Sequence, residues 1–216
     1  KGTVLIISPW NFPFQLCIAP LLYCIAAGNT AIIKPSEMTP ATSKLVYDMI
    51  NELFDEKEVC VIEGAIEESQ QLLELPFNHI FFTGSSSIGK KVVQASSKHL
   101  SSFTLELGGK SPVIIDKGFN CNKVIGRLIA TKFMNMGQTC IAPDYVVVHN
   151  DDYDNFLNQL INAIDTTYGK NFIDQLCSKS LGRIVSENHM SRLIDLLQNS
   201  KSKILYGGEY SIEDLF

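Results

Sequence analysis

Short runs of β-branched and other apolar residues alternate along the chain with stretches of helical periodicity. Val4 to Ile7 reads as a buried strand, followed by the turn residues Ser8-Pro9 and a mostly apolar helix ending near Gly28-Asn29. Ala31 to Ile33 predicts a second strand, closed by Pro35. From Thr39 to Phe54 the residues Leu45, Met49, Ile50 and Leu53 share one side at helical spacing. Val59 to Ile62 and His79 to Phe82 predict a third and a fourth strand. Ser85 to His99 predicts a helix opening on glycine and serine, and Phe103 to Leu107 a fifth strand. Strands alternating with helices build βαβ units, hence a mostly parallel sheet covered on both faces.

After Gly108-Gly109 the pattern restarts. Strand Val113 to Asp116, helix Lys123 to Met136, strand Tyr145 to His149, helix Tyr153 to Tyr168 and a helix near Glu187 to Asn199 follow in order. The expected fold is therefore α/β: a parallel sheet of nucleotide-binding size, then the first part of a second α/β domain. The boundary is expected near residues 107–110. Met134 and Met136, beside Phe133, are expected to pack a core.

Composition narrows the function classes. At 216 residues there is room for one large domain or two small ones. A hydrophobic content of 45% with 19% charged residues describes an ordinary globular chain. The net charge of −5 gives no electrostatic footprint for nucleic acid. Six cysteines, at 17, 24, 60, 121, 140 and 177, have irregular spacing and no Cys-x-x-Cys. The four histidines, at 79, 99, 149 and 189, form no cluster. No metal site and no disulfide framework are expected, and a reducing, cytoplasmic compartment is favoured. No apolar run reaches the roughly 18–20 residues of a membrane-spanning helix; Phe12 to Ala27 comes closest, with Gln15 and Pro20 inside it. The chain starts on Lys1-Gly2-Thr3 and runs straight into a strand, and Ile212 to Phe216 ends without a closing signal. Both features suggest a piece of a longer polypeptide.

Several runs could carry chemistry. Phe82-Thr83-Gly84-Ser85-Ser86-Ser87-Ile88-Gly89 follows a strand and opens a helix, where glycines allow close approach and free amides attract phosphate. It matches neither Gly-x-Gly-x-x-Gly nor a P-loop, and a capped helix without ligand explains it equally well. Lys34-Pro35-Ser36-Glu37 ends the second strand, and ligands bind at the carboxyl ends of parallel strands. Its acid could accept from a ribose diol, or the run could be a helix cap with solvated charges. A cysteine is usually a small buried hydrophobe, but Cys140, in Gly137-Gln138-Thr139-Cys140, is flanked by small and polar residues. As a nucleophile it would need its thiolate favoured, which local amides could do. Glu106, ahead of two glycines, could act as a base on water or mark a surface turn. Asn11, between Trp10 and Phe12, could be satisfied by backbone or held for an oxyanion. No histidine lies near Cys140 in sequence to suggest a Cys–His pair.

Taken together, these runs resemble the aldehyde dehydrogenase superfamily. The matching blocks are Ser8-Pro9-Trp10-Asn11-Phe12-Pro13, Lys34-Pro35-Ser36-Glu37, Phe82-Thr83-Gly84-Ser85, Leu105-Glu106-Leu107-Gly108-Gly109-Lys110 and Gly137-Gln138-Thr139-Cys140. They stand in the family's order across essentially the whole chain. Cys140-Ile141-Ala142-Pro143-Asp144-Tyr145 is most similar to the class 3 branch, which acts on fatty and aromatic aldehydes.

The resemblance implies a Rossmann-like NAD(P)-binding domain over residues 1–107, lacking its N-terminal part. It implies a catalytic domain over 108–216, lacking its C-terminal part. Cys140 would attack the aldehyde, and the Asn11 side chain with the Cys140 amide would hold the oxyanion, at roughly 3–4 kcal/mol per donor. Glu106 would activate the water that releases the acid from a thioester. Lys34 and Glu37 would hold the adenosine ribose, and the turn carrying Gly84, Ser85, Ser86 and Gly89 would lie against the pyrophosphate. Trp10 and Leu107 would line the nicotinamide end. Glu37 favours NAD, with NADP also accepted by many class 3 relatives.

A full-length homodimer is also implied, with membrane association only through a segment absent here. The later Glu-x-Phe-Gly-Pro block of the family is missing. Transfer of the acyl group to CoA in place of water, and a non-catalytic dinucleotide-binding fragment, are the alternatives.

Overall fold

A computed structural model of the chain describes residues 2–120, 122–200 and 202–216. Cys121, one of the six cysteines, lies outside them. The chain folds as two compact units, Lys1–Gly108 and Gly109–Phe216.

In the first unit, β1 (Thr3–Ile7), β2 (Thr30–Lys34), β3 (Val59–Val61), β4 (His79–Thr83) and β5 (Ser102–Glu106) form one sheet. Its order is β3-β2-β1-β4-β5 and every pairing is parallel. The strand order explains why β1 reads as an unbroken apolar run. It lies at the centre, and its two faces enter different cores. Val4 and Ile6 pack with Ile33, Cys17, Leu21, Val46 and Ile50. Leu5 and Ile7 pack with Ile80, Phe82, Leu72 and Val92. Each fully buried aliphatic side chain contributes about 1.5–3 kcal/mol.

The first core is covered by α1 (Gln15–Ala26) and α2 (Pro40–Leu53), the second by α3 (Ile66–Leu73) and α4 (Ser86–Ser96). Cys17 and Cys24 are core residues of α1, as expected of small hydrophobes. Burial pushes the Cys17 thiol up to about 11, and it raises Cys24 and Cys60 as well. The expected strands and helices lie within a few residues of their places. Helix α3 is additional: its sequence is mostly polar and only Leu72 is buried, so no apolar stripe announces it.

In the second unit, β6 (Ser111–Ile115) and β7 (Pro143–Val148) pair in parallel. The register slips after Ser111, which lies opposite Pro143, whereas Pro112 lies opposite Tyr145. Such a bulge accommodates a proline that cannot donate to the ladder, and β6 consequently starts before Val113. Ile115 packs with Ile125 and Leu128 of α5 (Asn122–Phe133) and Phe156 of α6 (Tyr153–Tyr168). The short α7 (Phe172–Leu176) and α8 (Glu187–Gln198) follow. Helix α5 stops three residues before the expected Met136, because the backbone changes hand. Met134 is therefore exposed rather than in a core. Among the described residues, no helix is long and apolar enough to cross a membrane.

Candidate active site

Most of the residues singled out in the first unit gather at one sheet edge. Trp10 and Asn11 follow β1, Lys34 ends β2 with Glu37 three residues on, Gly84 and Ser85 follow β4, and Glu106 ends β5 with Leu107 next. Four parallel neighbours therefore present them from their carboxyl ends, where open α/β sheets bind ligands. Asn11 and Trp10 are half-buried in the turn that leads into α1.

Lys34 is held in place before any ligand arrives. Its side chain is only 3% exposed. The ammonium donates to the carbonyl oxygens of Pro35 and Gly64, each at 2.7 Å, and to Glu37 Oε2 at 3.3 Å. A buried charge is tolerated only when paired and hydrogen-bonded, and these three acceptors meet that requirement. Gly64 reaches this position with φ of +146°, in the loop after β3. Just beyond it, Glu68 Oε2 accepts from the Ala65 N–H at 2.7 Å. The Glu37 carboxylate remains largely exposed beside the fixed ammonium. The carboxylate keeps acceptor lone pairs for a vicinal diol, and Lys34 donates to such a diol only in place of its long contact to Glu37.

The glycine run resolves as a capped helix at the carboxyl edge of the sheet. Ser85 Oγ accepts from the Ile88 N–H at 3.4 Å as the N-cap of α4. The N–H groups of a helix's first turn have no intrahelical partners and favour anions; here they belong to Ser86 and Ser87. The Gly84 N–H donates to the Glu106 carbonyl at 3.0 Å, tying the turn after β4 to the end of β5. A Cβ at Gly84 would lie 2.6 Å from the Phe82 ring, and one at Gly89 would lie 3.1 Å from Leu107 Cδ2. These glycines therefore permit packing of the edge itself. The Glu106 side chain is exposed.

In the second unit, Cys140 follows a left-handed turn. Asn135, Met136 and Gly137 have φ of 52°, 55° and 72°. Left-handed backbone costs a residue with a Cβ roughly 1–2 kcal/mol, so Met136 in particular must be held there. Gln138 supplies the holding contacts. Its Nε2 donates to the carbonyls of Asn135 and Arg183, each at 2.9 Å, and its Oε1 accepts from the Val185 N–H at 3.0 Å. On the other side of the loop, a Cβ at Gly109 would lie 2.6 Å from the Cys140 carbonyl oxygen. The half-buried thiol thus sits on a loop fixed from two directions. Sequence reading left Gly64, Gly109 and Gln138 without individual roles; Gln138 lay in plain view two residues before the cysteine. Among the described residues, no group of three or more His, Cys, Asp or Glu could hold a metal.

The chain is similar to known proteins over essentially its whole length. The profile described as the aldehyde dehydrogenase family matches residues 1–215. The 4,4'-diaponeurosporen-aldehyde dehydrogenase of Staphylococcus aureus is 50% identical over 213 residues, which are 99% of this chain and 46% of that protein. Aldehyde dehydrogenase family 3 member H1 of Arabidopsis thaliana is 42% identical over 217 residues, 99% of this chain and 44% of that protein. Among solved structures, substrate-bound Staphylococcus aureus AldH superposes with a TM-score of 0.90 at 46% identity, covering 100% of this chain and 47% of its own. The Mycobacterium tuberculosis aldehyde dehydrogenase complexed with NAD+ gives 0.87 at 27% identity, covering 98% and 45%. The chain spans about half the length of the curated relatives it matches.

Proposed function

Because the chain belongs to the aldehyde dehydrogenase family, we propose that the complete protein oxidises an aldehyde to a carboxylic acid with NAD. In this reading the first unit is the dinucleotide-binding domain and the second carries the nucleophile. The observation that carries it is the convergence of Asn11, Lys34, Glu37, Gly84, Ser85 and Glu106 on the carboxyl edge of one parallel sheet. The residues present fit a dinucleotide: a preset ammonium–carboxylate pair for a ribose diol, and a helix N-terminus opened by serines for a pyrophosphate. Bound NAD supplies the hydride acceptor.

The Cys140 thiolate adds to the aldehyde carbon, and the carbonyl π pair moves onto oxygen to give a thiohemiacetal oxyanion. The Asn11 amide and the Cys140 N–H donate to that oxyanion. Loss of hydride from the same carbon leaves a thioester on Cys140. Glu106 takes a proton from water as the water oxygen attacks, and the C–S bond breaks to release the acid and the thiolate. Lys34 and Glu37 orient the adenosine ribose. Glu37 disfavours a 2′-phosphate, so NAD is preferred over NADP.

The test is NADH production by the full-length protein from an aliphatic or aromatic aldehyde, repeated with Cys140→Ala. Loss of turnover is expected, and activity that survives the substitution overturns the assignment. Product analysis with and without CoA separates hydrolysis from acyl transfer: free acid formed at the same rate in both supports Glu106 as the base.

A further inference from the structure

The left-handed turn before Cys140 is closed locally by the Gln138 backbone N–H, which donates to Asn135 O at 3.1 Å, and by Asn135 Nδ2, which donates to Gln138 O at 3.4 Å. Asn135 and Met136 both carry Cβ atoms, yet both sit at positive φ. One side chain bridges this turn to a separate segment. Gln138 donates from Nε2 to Asn135 O inside the turn and to Arg183 O outside it, and accepts from Val185 N–H. The receiving segment is itself anchored. The Arg183 guanidinium donates to the carbonyls of Leu176 and Gly182, at 2.7 and 2.9 Å, and lies 5.0 Å from the Phe216 ring centroid. The Ile184 N–H donates to Leu215 O at 2.8 Å. Gly182 lies against Met136, with room for a Cβ at 3.7 Å from Met136 Cγ.

We propose that Gln138 is the positioning residue of the nucleophile: its amide locks the turn Asn135–Gly137 onto the Arg183–Val185 segment and thereby fixes where Cys140 presents its sulfur. The anchor segment acts as a fixed plate, and the glutamine ties the cysteine loop to it by hydrogen bonds. The proposal rests on reading Cys140 as the nucleophile.

The experiment measures site-resolved alkylation by iodoacetamide in the full-length protein, with turnover alongside. Exposed Cys177 serves as internal reference and buried Cys17 as a reporter of unfolding. For Gln138→Ala, the Cys140 alkylation rate should change by about tenfold or more while that of Cys177 stays within about twofold and Cys17 remains unlabelled. Turnover should fall by on the order of 10²-fold, as expected for a misplacement near 1 Å, with NAD affinity unchanged.

Gln138→Glu keeps the length and the acceptor for Val185 but, when ionised, offers no donor to the two carbonyls. It should lose at least as much as alanine near pH ~7.5 and recover relative to wild type as its carboxyl takes up a proton toward pH ~5. An unchanged Cys140 rate in Gln138→Ala overturns the proposal. So does Cys17 opening together with Cys140 in both variants, which is a loss of fold. The alkylation readout does not require Cys140 to be catalytic. Failure of the nucleophile assignment would instead appear as turnover surviving Cys140→Ala.

Discussion

A methyl group added to Gly109 would stand 2.6 Å from the carbonyl oxygen of Cys140. The second glycine of Leu107-Gly108-Gly109-Lys110 is thus a contact surface for the loop that carries the proposed nucleophile. Its neighbour has no such duty, since a Cβ at Gly108 would meet nothing within 4 Å. In the full-length protein, Gly109→Ala should lower turnover by about 10- to 100-fold through displacement of the Cys140 loop. Gly108→Ala should leave it within about threefold. Steady-state rates of the two variants, compared at saturating NAD, check the contrast; equal losses would refute it.

The buried Lys34 ammonium links the ends of two neighbouring strands, because it ties β2 to Gly64 in the loop after β3. Lys34→Met keeps the aliphatic volume but strips the donor from the buried Pro35 carbonyl and the part-buried Gly64 carbonyl. Unfolding should become easier by about 1–3 kcal/mol for the groups left unpaired. NAD affinity should fall about tenfold or more, with Glu37 left facing the ribose alone. Chemical denaturation and a fluorescence titration with NAD read the two effects separately. A variant that is destabilised yet binds NAD normally would restrict Lys34 to a structural role.

Much of the first unit was legible from sequence, because its central strands β1 and β2 are largely buried on both faces. Val4 to Ile7 and Ala31 to Ile33 are continuous apolar runs in a sheet of parallel strands, and such runs leave little ambiguity. The site residues were legible as blocks for a different reason: Lys34-Pro35-Ser36-Glu37 and Gly84-Ser85 end or directly follow a strand, and Trp10-Asn11 follows one after the two residues Ser8-Pro9. What escaped was set by backbone geometry rather than hydrophobic pattern. Met136 reads as one more helical apolar residue, yet it adopts φ of 55°. Its neighbours Asn135 and Gly137 tolerate that region, but the tie that Gln138 makes to Arg183, 45 residues away, is not readable from local pattern. The start of β6 was missed similarly, since a proline at a bulge looks like a strand breaker until its register is known.

The two-sided burial of the first sheet also predicts where that unit is fragile. Ile33 is fully buried in the cluster with Ile6, Val46 and Ile50. Ile33→Ala should cost about 2–5 kcal/mol through lost burial and the cavity left behind. Leu22, on α1, is 61% exposed, and Leu22→Ala should stay within about 0.5 kcal/mol of wild type. Urea unfolding followed by circular dichroism would show the difference. Comparable costs at both positions would mean that Leu22 is covered in solution.

His79 gives the first unit a pH dependence of definite sign. Its Nδ1 is 2.8 Å from Ser102 Oγ and its Nε2 is 3.1 Å from Thr104 Oγ1. Ser102 Oγ donates to Asn78 O, so it accepts from the Nδ1–H, while the Thr104 hydroxyl can take either role toward Nε2. Burial disfavours the charged ring and holds the His79 pKa below its ordinary value. The unfolded chain takes up this proton near pH ~6.5, whereas the folded chain resists until lower pH. Between those values the unfolded state binds more protons, so stability rises with pH there. The contribution is complete above about pH 6.5 and is lost as pH falls through the folded-state value. His189, lowered by burial and by the charge of Arg192, acts in the same direction in the second unit. The midpoint of urea unfolding should therefore drop as pH is lowered from ~7.5 to ~5. In His79→Gln, which cannot titrate, the drop should be shallower, and with His189→Gln added it should be shallower again. If the His79→Gln slope matches wild type, the neutral ring between Ser102 and Thr104 is not what makes the unit sensitive to acid.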